Sequence, residues 1–238
     1  MTNSITVRQV SIMDSAEWSW RDGRPHWRGG VYDPFPAYPH DLAVVTSAVE
    51  YVQECCPPLW DVDLHVLDRE EVARSNAATD TREGKQWDEA AGAWVPQPPH
   101  GDIMLSGKRI PPHPSVTRYA VGHEYGHQVQ CMISHARGAK SVHDKAILTE
   151  YVALRGLPAE SVAPGLGGTW HAAAAEVFAC DFRVLAVGID PQYWPHPGVP
   201  HPGTVEGLAG WWDQALADLT TFRTAQDAAE AEPIEAAV

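Results

Sequence analysis

Apolar residues recur at helical spacing along some stretches of this chain and alternate along others. Residues 5–10 (ITVRQV) read as a short strand. Residues 14–40, rich in Trp, Pro, Gly and Asp, read as irregular loop or a hairpin around Arg21-Asp22-Gly23. Asp41 precedes Leu42, Val45, Ala48, Val49 and Val52, which predicts a helix capped at Asp41 that stops before Pro57-Pro58. Residues 62–67 (VDLHVL) alternate as a strand does, 80–100 read as a polar, Pro-rich excursion, and 102–106 (DIMLS) as a second strand. A long helical pattern then runs from Pro114-Ser115 to Gly138, with Ser115 expected as N-cap and Gly138 as the residue past its end. Further helices are expected over 144–155, 170–187 and 204–223, separated by a Gly-rich loop and a Pro/His loop at 191–203. This order predicts an α+β fold: one domain over 1–223 with a small mixed sheet, an irregular part at 1–40 and an acidic flexible tail at 224–238.

With 238 residues and 44% hydrophobic content, the chain is long enough for one sizeable core. A net charge of −14, from 17 basic and 31 acidic residues, disfavours nucleic acid and anionic lipid as partners but leaves a peptide or protein substrate open. No secretory signal and no apolar run of membrane-spanning length is visible, so a cytoplasmic location is expected. Cys55 and Cys56 are adjacent, and with Cys131 and Cys180 they do not make a disulfide framework. Oligomeric state leaves no mark in the pattern.

The chemistry lies inside the long helix, at His123-Glu124-Tyr125-Gly126-His127. Two histidines four residues apart stand one turn above each other on one helix face, so both imidazoles reach one ion. Glu124 is turned away by about a hundred degrees, outside the ligand set but within reach of a water on the metal. Such a site implies Zn²⁺, which lowers the pKa of its water to roughly 7 while the carboxylate takes the proton. Gly122 and Gly126 cost about 1 kcal/mol each against Ala in a helix interior, which implies close approach of another backbone or helix. The plainer alternative is an amphipathic helix with two surface histidines.

Catalytic zinc takes three protein ligands and keeps one position open. A metzincin would need Gly and His where this chain has Gln130 and Ile133, and His135 lies two turns past His127, too far along the axis. The best remaining candidate is Glu176, in the run AAAAEVFACDFR. A carboxylate buried among alanines needs a cation partner, which zinc supplies; the alternative is an ordinary surface glutamate. Cys131 and Cys180 each fall one turn beyond a candidate ligand. They are expected to pack as small apolar residues, with a disulfide or a thiolate ligand as alternatives. His100, His113, His143, His196 and His201 read as loop or solvent histidines. The strand at 102–106 reads as the natural edge for an extended peptide.

HEYGH followed by EVFACDFR resembles the gluzincin metallopeptidases, in particular the anthrax lethal factor group, over two helices and about a quarter of the chain. The resemblance implies a zincin-like fold, His123, His127 and Glu176 as zinc ligands, and Glu124 as general base. The family often places an acid one turn after the ligand glutamate, behind a metal-bound histidine, where this chain has Cys180. It tends to place a tyrosine seven residues before that glutamate, to donate to the oxyanion, where this chain has Thr169. Asp181, His171 and Tyr151 are candidate substitutes for these supporting roles. The expected activity is hydrolysis of peptide bonds by metal-activated water. A regulator-cleaving protease of the mobile-element type, or a non-catalytic zinc-binding protein of this fold, would share these features.

Overall fold

The computed structural model describes residues 3–10, 18–21, 24–27, 42–67, 77–106, 113–142, 144, 146–162, 173–190 and 194–231. In chain order these form β1 (Ile5–Val10), β2 (Trp18–Arg21), β3 (Arg24–Trp27), α1 (Leu42–Cys55), β4 (Val62–Leu67), β5 (Ala77–Arg82), β6 (Lys85–Asp88), β7 (Ala93–Pro96), β8 (His100–Ser106), α2 (Pro114–Ala136), α3 (Ala146–Arg155), α4 (Ala174–Leu185) and α5 (Leu208–Ala231). Among the described residues this is an α+β arrangement of five α-helices and a small mixed sheet, and no helix is long and apolar enough to cross a membrane.

The sheet runs in the order β1-β4-β8-β5. β1, β4 and β8 are parallel, and β5 pairs antiparallel with β8. Two antiparallel ribbons, β2–β3 and β6–β7, are separate from it. Side-chain alternation puts Val62, Leu64, Val66, Ile103 and Leu105 on the face that meets the helices. There they join Val45, Ala48, Val49 and Val52 of α1 and Val121, Tyr125, Val129, Met132 and Ile133 of α2 in one core. Parallel strands need such crossovers, and α1 supplies the one between β1 and β4.

Several sequence expectations change. β8 is not an edge: it lies between β4 and β5, so among the described residues β1 and β5 are the edge strands. The stretch 80–100 holds the end of β5, the β6–β7 ribbon and the first residue of β8, because pairing with β8 and within the ribbon satisfies a sequence whose local pattern is weakly apolar. His113, not Ser115, is the N-cap of α2, with Pro114 in the first turn. Gly138 ends that helix with φ of 80°, and its successor Ala139 donates to the Ser134 carbonyl. The helix α5 continues past residue 223 to Ala231, through half of the expected tail. His196, read as a loop or solvent histidine, is fully buried beside Trp194. His100 belongs to β8.

The helices α2 and α4 cross at Gly126. A Cβ placed there would lie 2.8 Å from the Ala179 Cα and 3.0 Å from its carbonyl oxygen, both backbone atoms that cannot swing aside. At Gly122 the nearest atom is the Arg183 Cγ at 3.3 Å, part of a long side chain with room to adjust. Helix propensity alone would make Gly126→Ala stabilising by about 1 kcal/mol. We expect the opposite sign: overpacking of a tight contact costs roughly 1–3 kcal/mol. Chemical denaturation of the variant measures this, and a gain in stability would show that the helices are not in backbone contact.

Candidate metal centre

Helix α2 carries His123, Glu124 and His127 in its middle, away from fraying ends. The two imidazoles stand 5.0 Å apart, ring to ring, and perpendicular. From the first turn of α4, Glu176 reaches across the contact at Gly126. Its Oε2 lies 3.0 Å from His123 Nε2 and 3.6 Å from His127 Nε2. All three donor atoms fall within 4.8 Å of one another. Donors held tetrahedrally at ~2.0–2.1 Å from zinc stand about 3.3–3.4 Å apart. The two separations from Glu176 bracket that edge, so this donor set is compatible with a tetrahedral metal ion.

The electrostatics of the trio follow from burial and mutual contact. Burial pushes His123 down to about 4, against its hydrogen bond to Glu176, and the charges of His127 and Arg183 add to the lowering. Burial also acts to lower His127, but the carboxylates of Glu176 and Glu124 outweigh it and hold this imidazole above its ordinary value. Glu176 is driven up by burial, yet the two imidazoles beside it hold it well below the usual carboxylate range. The pocket therefore favours an ionised Glu176 and the protonated form of His127, and disfavours charge on His123. A divalent ion would take the place of the proton on His127.

Glu124 is 8% exposed, and burial raises its carboxyl to about 7; the charge of His127 opposes this and that of Glu176 adds to it. A carboxyl poised near neutrality takes and returns protons efficiently at physiological pH.

The histidine support is a thiol. Cys180, one turn along α4 from Glu176, places its Sγ 3.3 Å from His123 Nδ1. A metal on Nε2 requires the ring hydrogen on Nδ1, and there the sulfur is in place to accept it. Burial lifts the Cys180 thiol to about 12, so it stays protonated. It sits behind His123 and not among the three converging donors. None of the four cysteines is in a disulfide. Chain spacing carried the signal for this contact, since Cys180 occupies the helical position from which a side chain returns to His123.

Asp181 and Tyr151 are engaged elsewhere. The Tyr151 hydroxyl donates to Asp181 Oδ2 at 2.5 Å, and Arg155 binds the same carboxylate, with Nε 2.8 Å from Oδ2. Arg155 Nη2 also donates to the Pro200 carbonyl at 2.8 Å. Asp181 is turned about a hundred degrees around α4 from Cys180, so it faces α3 and not His123. Tyr151 spends its hydroxyl hydrogen on Asp181 and does not offer it to an oxyanion. His171 and Thr169 lie outside the described residues.

Gln128, next to His127, has a role the sequence did not announce. Its Nε2 donates to the Asp80 carbonyl at 2.6 Å, and its Oε1 accepts from the Thr81 hydroxyl at 3.0 Å. It is fully buried and clamps α2 to the edge strand β5.

Against models of known families, against curated proteins and against solved structures, the chain has no match.

Proposed function

We propose that this chain is a zinc-dependent metallopeptidase of the gluzincin kind, with a zincin-like fold. The observation that carries the proposal is the convergence of His123, His127 and Glu176 from two helices, with Glu124 buried beside them outside the donor set. His123 and His127 bind through Nε2 and Glu176 through a carboxylate oxygen. Zinc, when bound, supplies Lewis acidity and brings the pKa of water to roughly 7. Glu124 removes a proton from the attacking water and returns it to the leaving amine, a task suited to a carboxyl poised near neutrality. Cys180 holds the His123 ring in the orientation and tautomer a ligand needs. The edge strand β5, fixed to α2 by Gln128, is where an extended peptide would add to the sheet.

Three outcomes are expected. Replacing Glu124 by Gln should leave zinc content and unfolding midpoint unchanged while lowering cleavage of a fluorogenic peptide library by about 10²–10⁴-fold, the usual worth of a positioned base. Full turnover by Glu124→Gln would remove Glu124 from the mechanism. In Glu176→Ala, zinc should be lost on dialysis against a weak chelator under conditions where the parent retains it, as elemental analysis reads directly. Cys180→Val keeps the packing volume but removes the sulfur, and competition with a chromogenic chelator should show zinc held about 10–100-fold less tightly. Unaltered affinity would leave the thiol as packing alone.

A further inference from the structure

The second face of the sheet, turned away from α2, carries its own cluster of metal-binding side chains. Thr79 and Thr81 face Gln128, so alternation turns Asp80 and Arg82 to the opposite side. Register pairs Asp63 with Asp102 and Asp102 with Asp80, which lays three aspartates in one row across β4, β8 and β5. Carboxylates directly opposed across strands destabilise a sheet, and a row of three calls for a cation.

Part of that charge is supplied by protein. His65 Nε2 lies 3.2 Å from Asp102 Oδ1, and Arg82 Nε meets Oδ2 of the same carboxylate. The contact between His100 and Asp63 is of another kind. His100 Nε2 stands 3.3 Å from Asp63 Oδ2; the nitrogen itself is shielded from solvent, yet among the described residues it makes no hydrogen bond. A ring nitrogen that faces a carboxylate oxygen without a directed N–H is arranged as two ligands of one ion are. The spacing also matches the ~3.3–3.4 Å edge of a tetrahedral zinc site. Donor atoms of Asp63, His100 and Asp102 lie within 4.8 Å of one another.

We propose that Asp63, His100 and Asp102 form a second divalent-metal site, separate from the centre on α2 and α4. Two carboxylates and one imidazole suit a first-row ion of intermediate softness, and Zn²⁺ is the probe of choice. Arg82 and His65 orient the Asp102 carboxylate, as the outer partners of metal ligands do. Bound there, the ion joins β4 to β8 and offsets the aspartate row. Through Arg82 it also steadies the edge strand β5.

Zinc counting on protein first stripped with a chelator tests this. Titration with Zn²⁺ should saturate at two ions per chain in the parent. His100→Ala should bind one, and so should Asp63→Asn, which preserves side-chain shape should the alanine variant fail to fold. The double variant His123→Ala/His127→Ala should still bind one, and adding Zn²⁺ should raise its unfolding midpoint. That midpoint shift should vanish when Asp63→Asn is added. A parent that saturates at one ion or none would overturn the proposal, as would two ions retained in both His100→Ala and Asp63→Asn. Loss of zinc only on changing α2 residues counts against the sheet site, while loss only on changing sheet residues counts against the helix site.

Discussion

The contact between the backbones of Gly126 and Ala179 is the constraint on which the candidate centre depends. Two α-helices with ordinary side chains pack with axes 8–10 Å apart, and a short carboxylate on one reaches a histidine on the other only where they come closer. Gly126 removes the one side chain that would hold α4 away, and Ala179 presents only a methyl group in return. With the helices at that distance, Glu176 reaches both imidazoles and Cys180 meets the back of His123. Glycine in the middle of a 23-residue helix costs conformational entropy. Close packing with α4 offsets that cost.

Around that contact the polar groups are partitioned by helix face. On α4, the side toward α2 carries Glu176 and Cys180, while the side toward α3 carries Asp181 with its Tyr151 and Arg155 partners. Buried charge is tolerated on both sides for the same reason, that each carboxylate meets a cation or a donor. The Arg155–Asp181 pair is fully shielded from water, and Arg155 also ties down the segment at Pro200. The helix α4 is thereby held from behind as well as from the front. Arg183 completes the picture from the next turn: its guanidinium stacks 3.4 Å over the Tyr119 ring, and its charge helps to keep His123 neutral.

The sheet contributes position more than chemistry to this centre. Gln128 spans from α2 to β5, so hydrogen bonds tie the edge strand to the turn of α2 that carries His127. The opposite sheet face is crowded with aspartate and histidine, an arrangement that alternation makes inevitable once β4 and β8 pair in register.

What the sequence determined by itself is local. The i, i+4 spacing of His123 and His127, the offset of Glu124, the apolar stripe of α1 and the alternation of β4 all follow from helix and strand periods that a few neighbouring residues define. Glu176 was legible because a carboxylate among alanines is conspicuous. Decisions between distant segments belonged to the tertiary structure. Spacing puts Cys180 one turn past Glu176 on the same helix face, but only the rotation of α4 against α2 and α3 brings the thiol to His123 and spends Asp181 on Tyr151 and Arg155. The pattern of 102–106 reads equally well as an edge or an interior strand, and only pairing with the weakly apolar residues 77–82 made β8 interior. Likewise α5 runs on to Ala231 through a polar, acidic sequence that looked frayed. Its core-facing Leu208, Trp212, Ala215 and Leu219 dock earlier in the helix, and continuing it adds a hydrogen bond per residue without a new nucleus. Local periods can be read from neighbours, whereas strand partners, helix rotation and the choice between nearby donors depend on contacts between residues far apart in the chain.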